Sequence, residues 1–167
     1  MNFNNHNIEI AGFKHNISNL NELFSQINEI KNGCTLQILN ADGIAGKEHV
    51  LHSIVQALKA FERKENIAND LGLEICLRAS AQRQISKALY ILGIKEGQMN
   101  ICVVAIDCSI DIIEKLNKIL DKRDDEVLNP DLDILKTIYK INDNEISATG
   151  NITDLMIEKT TLLILDT

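Results

Sequence analysis

The stretch NICVVAI at residues 100–106 carries no charge, and only its first residue is polar. A strand with one face in water alternates polar and apolar side chains; a continuous apolar run must be covered on both faces. A chain containing such a strand must therefore supply layers for both sides of a sheet. The rest of the sequence does so by alternating short β-like runs with helical patterns, and no repeat or Pro/Gly/Ser-rich linker divides it. This predicts a single α/β domain over residues 1–167, with a mixed sheet of about four strands packed with helices. A chain of 167 residues is long enough to bury such a core without staples.

Along the chain, NIEIAGFK (7–14) reads as the first strand. Ser18 then caps a helix with Leu20, Leu23, Phe24, Ile27 and Ile30 on its apolar face, ending at Gly33. TLQILNA (35–41) is the second strand. From Lys47 to about Lys64, the positions Val50, Leu51, Ile54, Val55, Leu58 and Phe61 recur at helical spacing. LEICLRA (73–79) reads as a third strand. Ser80 follows as the N-cap of a helix that turns Ile85, Ala88, Leu89 and Leu92 inward and stops at Gly93. After NICVVAI, Ser109 caps a further helix, and Asn129-Pro130 opens another with Pro at its first position. The tail ITDLMIEKTTLLIL favours a helix lined by Ile152, Leu155, Met156 and Leu163, although TTLLIL alone fits a strand.

The formal charge of −7 is uneven. Residues 1–41 are net −1, residues 42–106 net +1 and residues 107–167 net −7. A polyanion-binding protein is normally basic throughout, so any nucleic-acid contact must use a local patch in the middle third. Cys34, Cys76, Cys102 and Cys108 show no CxxC spacing, and three lie in apolar surroundings. They read as buried reduced thiols, which implies a cytoplasmic protein. The N-terminus has no apolar core of a signal peptide, and no run is long enough to span a bilayer.

Phosphate-loop, dinucleotide and nucleophile-elbow motifs are all missing, and no paired-carboxylate signature stands in a recognisable setting. The turn ADGIAG (41–46) precedes a helix N-terminus but matches no phosphate-binding spacing. His49 and His52 are three apart, whereas a zincin helix spaces its pair by four and needs a further ligand. No metal or cofactor is expected. His49, His52, Gln56, Lys59 and Arg63 follow one another at helical intervals as a polar ribbon. Taken alone, such a ribbon is a solvated face. Beside the element opened by RASAQRQISKAL it gains meaning, because Lys59, Arg63, Lys64, Arg78, Arg83, Lys87 and Lys95 then form a shallow cationic surface. That surface suits a few phosphates, such as one end of an RNA, better than a long duplex. Tyr90 is the one tyrosine in the region, so a base would stack on a guanidinium or an aliphatic side chain rather than on an aromatic platform.

Three segments carry a resemblance: NADGIAGKEHVLHSIVQALKAF, then LRASAQRQISKALYILGIKEG, then NICVVAID. Asn40-Ala41 ends a strand, Ile44 and Gly46 precede a helix carrying His49, and Arg78-Ala79-Ser80 follows an acidic stretch. Arg83-Gln84-Ile85 opens a helix ending in Gly93-Ile94-Lys95. Over residues 36–107 the order and spacing of these features resemble the small kinase-binding subunit of the KEOPS tRNA-modification complex, the TPRKB family. The chain departs from that pattern at Ala81, where the family often has Gly; the expected effect on the helix start is small. The resemblance implies a non-catalytic subunit. It implies three kinds of partner: the small atypical kinase or ATPase of that complex, tRNA held by its single-stranded 3′ CCA end, and other KEOPS subunits indirectly. Arg78, Arg83 and Lys87 would meet RNA phosphates. For the kinase-facing surface, the apolar residues Leu155, Met156, Leu162 and Leu163 of the C-terminal helix are the candidates. A purely protein-directed regulator without RNA contact is the rival reading.

Overall fold

The apolar run becomes the middle of a sheet. In the computed structural model, which describes residues 1–163, β4 (Gly97–Ile106) pairs antiparallel with β2 (His6–Ile17) on one side. On its other side it pairs antiparallel with β3 (Thr35–Asn40). A two-residue strand β1 (Asn2–Phe3) hairpins onto β2 and completes the order β1-β2-β4-β3. All of residues 101–106 are buried, as a strand covered on both faces requires. The fold is α/β. Every pairing among the described residues is antiparallel, where the alternating pattern suggests a mixed sheet. Because β2 and β3 both oppose β4, they run parallel to each other with β4 inserted between them. The crossover expected of a βαβ unit is present, but its two strands are split.

Two compact units share the chain: residues 1–41 with 93–128, and residues 42–92 with 129 onward. The first holds the sheet. Helices α1 (Leu20–Lys31) and α5 (Ile112–Leu120) pack on it through Leu23, Ile27, Leu116 and Leu120 against Phe13, Ile38, Ile101 and Val103. Asn19, one residue beyond the expected Ser18, caps α1 by accepting the Glu22 amide at 3.0 Å. Phe24, assigned to the apolar face, stands exposed.

The outer edge of β2 is closed by the segment 123–128. The Asp124 amide donates to Gly12 C=O at 2.7 Å, and the Gly12 amide to Asp125 Oδ1 at 2.9 Å. Arg123 fastens the segment by binding Asp125 and Glu9 side chains and the Ile10 carbonyl. A Cβ at Gly12 would fall 2.5 Å from the Asp124 carbonyl oxygen, so this approach admits glycine alone. Covered edges do not recruit foreign strands.

The same unit corrects the reading of four reduced thiols. Cys34 and Cys108, both half-buried, form a disulfide. Pairing Thr35 with Ile106 brings Cys34, one residue before the first, and Cys108, two residues after the second, to one end of the sheet, with Cα atoms 5.0 Å apart. No local spacing could announce a bridge made by strand register. Its presence also removes the argument from reduced thiols for a cytoplasmic location. Cys76 and Cys102 are buried thiols; burial pushes Cys76 up to about 12, which makes it unreactive.

The second unit is helical among the described residues: α2 (Lys47–Arg63), α3 (Leu71–Ser80), α4 (Ile85–Leu92), α6 (Leu132–Tyr139), α7 (Asp143–Thr149) and α8 (Ile152–Leu162). The tail is therefore a helix, and α8 packs against α2 and α3. Leu155 and Met156 lie in a core cluster with Ala45, Leu135, Ile141 and Ile152. Pro130 sits just before α6, whose cap is Asp131. No helix among the described residues is long and apolar enough to cross a membrane.

The Cys34–Cys108 bridge closes a loop of 74 residues, so in the chain-entropy account it stabilises the protein by about 4 kcal/mol. The mass of the intact, unreduced protein should show one disulfide. Cys34→Ala/Cys108→Ala should lower the urea midpoint markedly, and an unchanged midpoint would show that the bridge does not constrain the unfolded chain.

Candidate functional site

The segment expected as a third strand, LEICLRA, is helix α3. Asp70 caps it by accepting the Leu73 amide at 3.0 Å, and every residue from Glu74 to Ser80 is buried. A short run this apolar has no readable period, since a buried helix and a buried strand look alike. The side chains that distinguish them are Glu74 and Arg78. Four apart, they meet only across one helical turn, and Arg78 Nε and Nη2 donate to Glu74 Oε1 at 3.1 and 2.8 Å. The other carboxylate oxygen accepts the amides of Ala68 at 2.7 Å and Ile67 at 3.0 Å. Glu74 is thus a fully buried carboxylate held by a guanidinium and two loop amides.

This arrangement corrects the reading of Arg78 as an exposed strand residue: it lies on a helix and is only 4% exposed. It does line a cavity of about 370 Å³ together with Gln56, Ala60, Glu65, Ile67, Arg83 and Leu163. Arg83, exposed on the segment before α4, reaches back to donate to the Leu163 carbonyl at 3.2 Å. The expected pair of arginines therefore meets at one cavity, one on its wall and one on its rim. Gln56 and Ala60 bring the C-terminal half of α2 to the same place. Arg63 and Lys64 are exposed at that end, and Lys59 is half-buried one residue before Ala60. Lys87 lies elsewhere, in a groove of about 290 Å³ with Gln82, Ser86, Tyr90, Ile91 and Ile138. Lys95 belongs to the first unit. Glu65 and Glu74 are site residues the cationic pattern overlooks; the Glu74/Arg78 spacing and the Asp70 cap were the available signals.

The ribbon on α2 loses its first member. His49 is fully buried: Nδ1 accepts the Ala45 amide at 3.0 Å, and Nε2 donates to the Ala79 carbonyl at 2.9 Å. This bond pattern assigns the proton to Nε2. Both ring nitrogens are occupied, so His49 has no lone pair for a metal. Burial lowers its pKa from 6.5 to about 4. His52, half-buried, hydrogen-bonds the Thr161 hydroxyl at 2.8 Å. No group of three or more His, Cys, Asp or Glu among the described residues is placed to hold a metal ion. The ADGIAG turn is tied down rather than open. Tyr139 donates to Gly43 C=O at 2.7 Å and Thr153 to Ala45 C=O at 2.8 Å.

Other expectations also change at α4. Ile85 and Leu89, assigned inward, are exposed, and only Ala88 and Leu92 are buried. Of the four candidates on the C-terminal segment, Leu155, Met156 and Leu163 are buried and Leu162 is exposed. Ala81 is not a helix start at all: it closes α3 in the left-handed conformation, φ 54°, its amide bonded to the Arg78 carbonyl.

Two outcomes follow. His49 must enter the fold neutral, and its depressed pKa contributes stability above pH 6.5 that is lost as pH falls through about 4. The amount is about 3 kcal/mol. Denaturant melts across this window should therefore show an acid limb that His49→Gln flattens; parallel profiles would contradict it. A left-handed alanine carries a strain that glycine avoids, so Ala81→Gly should stabilise by about 0.5–1 kcal/mol, read as a raised Tm.

Two comparisons bear on identity. The family model described as "Kinase binding protein CGI-121" matches residues 14–163. The "Regulatory protein Cgi121" of Methanocaldococcus jannaschii is 38% identical over 141 residues, covering 81% of this chain and 88% of that protein. Their span takes in the resemblance read from residues 36–107 and both units of the fold. The chain belongs to the CGI-121 kinase-binding protein family.

Proposed function

We propose that this protein is a non-catalytic regulatory subunit of the KEOPS tRNA-modification complex. In this reading it binds the small atypical kinase and holds tRNA by its single-stranded 3′ CCA end. Family membership supports the kinase-binding part. The observation that carries the RNA part is the mixed lining of the 370 Å³ cavity. A phosphate alone would want cations only. This cavity sets Arg83 and Arg78 beside Glu65 and the Gln56 amide, so it offers donors to an anion and acceptors to hydroxyl or amino groups. A terminal ribonucleotide presents both: phosphate oxygens on one side, and on the other a free 2′,3′-diol that no internal nucleotide has. Exposed Arg63 and Lys64 beside the cavity extend the cationic track for the next phosphates.

The mechanism is positional. Holding tRNA on a subunit that also grips the kinase raises the tRNA concentration near the complex without chemistry in this chain. Glu74 has a supporting part, since it fixes the guanidinium of Arg78 and leaves Arg83 as the adjustable contact. Leu162, the exposed member of the C-terminal apolar set, remains a candidate at the kinase surface.

The test is a titration of the protein with intact tRNA and with the same tRNA lacking its CCA, at two salt concentrations. Truncation should weaken binding at least tenfold. Arg83→Glu should do the same while leaving the fold intact, since an exposed change costs less than about 0.5 kcal/mol. Equal weak binding to both RNAs, fading together with salt, would leave only nonspecific attraction and favour a regulator that contacts protein alone.

A further inference from the structure

A disulfide sealed in a core resists reduction, whereas an exposed one exchanges with outside thiols. Cys34 and Cys108 are each half-buried, and what flanks them opens outward. Asn32 and Gly33 are exposed on one side, and Asp107, Ser109 and Ile110 on the other. Beside Cys34, a Cβ placed on Gly33 would meet no atom within 4 Å, so the turn stands in open space. The bridge joins two connections: the turn from α1 into β3 and the loop from β4 into α5. Each has anchors of its own. Thr35 stays paired with Ile106 in the ladder. On the β2 side, the Asp107 amide donates to Asn7 C=O at 2.9 Å, while its carboxylate accepts the Asn7 amide at 2.8 Å and hydrogen-bonds His6 Nδ1 at 2.7 Å. Opening the bridge therefore leaves the strand register in place and frees only the turn at 32–34 and the loop at 108–111.

We infer that Cys34–Cys108 is a reversible redox site, exchanged by a dithiol reductant, whose opening unlocks one end of the sheet unit without unfolding the sheet. The open side at Gly33 directs the reductant's thiolate to Cys34 Sγ. The opposite sulfur is less open to an anion, because the carbonyl oxygens of Thr35 and Ile106 lie 3.4 and 3.8 Å from Cys108 Sγ. A new S–S bond forms to Cys34 as the Cys34–Cys108 bond breaks, and the electron pair leaves on the Cys108 sulfur, which takes up a proton. That thiol finds the Thr35 carbonyl as an acceptor without moving. The reductant's second thiolate then attacks its own partner sulfur in the mixed disulfide and expels Cys34, which is protonated in turn. The protein gains two electrons and two protons, and the dithiol becomes a disulfide. Cys76 and Cys102 are 1% and 0% exposed, so neither can intercept the intermediate, and reoxidation restores the same bridge.

The deciding experiment treats the folded, full-length protein with dithiothreitol in the absence of denaturant, alkylates it with iodoacetamide, and maps the adducts by mass spectrometry. Adducts are expected on Cys34 and Cys108 and on neither Cys76 nor Cys102, and oxidised dithiothreitol should return unalkylated protein to its starting mass. A thioredoxin carrying only its attacking cysteine should be trapped on Cys34. Hydrogen exchange in the reduced protein should quicken about tenfold in peptides covering 31–35 and 108–112, with the β2–β4 ladder as protected as before. Adducts that appear only once denaturant is added make the bridge a sealed staple and overturn the proposal. Adducts on Cys76 or Cys102 without denaturant, or loss of protection across the ladder, show that reduction unfolds the unit and overturn it equally. Trapping on Cys108 overturns the assignment of the attacked sulfur.

Discussion

The helical unit depends on one buried carboxylate. Glu74 is fully enclosed, and an ionised group there is tolerable only when its oxygens are saturated with donors. Arg78 supplies two, and the amides of Ile67 and Ala68 supply the rest. The pair fixes more than itself. It ties the loop between α2 and α3, and it sets the guanidinium that walls the cavity. A buried pair adds little net stability over a packed apolar pair, and its value lies in specificity. Here the specificity is for helix over strand. In a strand, residues four apart are separated by about 13 Å, so only a helix lets Glu74 and Arg78 close.

Legibility of the sequence follows the same logic. β4 and α2 were readable because each carries a period or a length that one structure satisfies, whereas the α8 sequence favours a helix although part of its run also fits a strand. Residues 73–79 were not readable, because an apolar run enclosed on all sides has no face to show. Its Arg78 looked like surface when its partner, Glu74, lay one helical turn away. His49 misled for a related reason: helical spacing places it on a ribbon with Lys59 and Arg63, but spacing cannot say that Ala45 and Ala79 wait at either ring nitrogen. The Cys34–Cys108 bridge belongs to strand register, which is a long-range property. Ala81 shows that even a departure from a family pattern needs the right element before its consequence can be read.

The candidate site was legible in composition and misplaced in layout. Seven cations were read as one surface. The structure divides them by environment: Arg78 and Arg83 at a cavity with Glu65 and Gln56, Lys87 at an apolar groove, Lys95 in the other unit. Net charge had argued only that any patch would be local. Locality turns out to be tighter still, at the scale of one cavity wall, where a guanidinium neutralised from behind contributes hydrogen-bond geometry rather than charge.

That distinction bears on how an acidic chain could serve an RNA ligand at all. At −7 overall, long-range attraction to a polyanion is absent, and charges more than about 8 Å apart are screened at physiological salt. Affinity for RNA must then come from contacts at short range, which favours recognition of an end over a backbone. A nucleotide end offers groups an internal stretch lacks, and a cavity with both donors and acceptors can read them. The acidic last third then has a consistent physical effect, repelling the body of the same RNA from surfaces that do not contact its end. In the proposed division of labour, discrimination arises from this opposition: a locally fitted cavity on a globally repulsive protein holds an end and releases everything else.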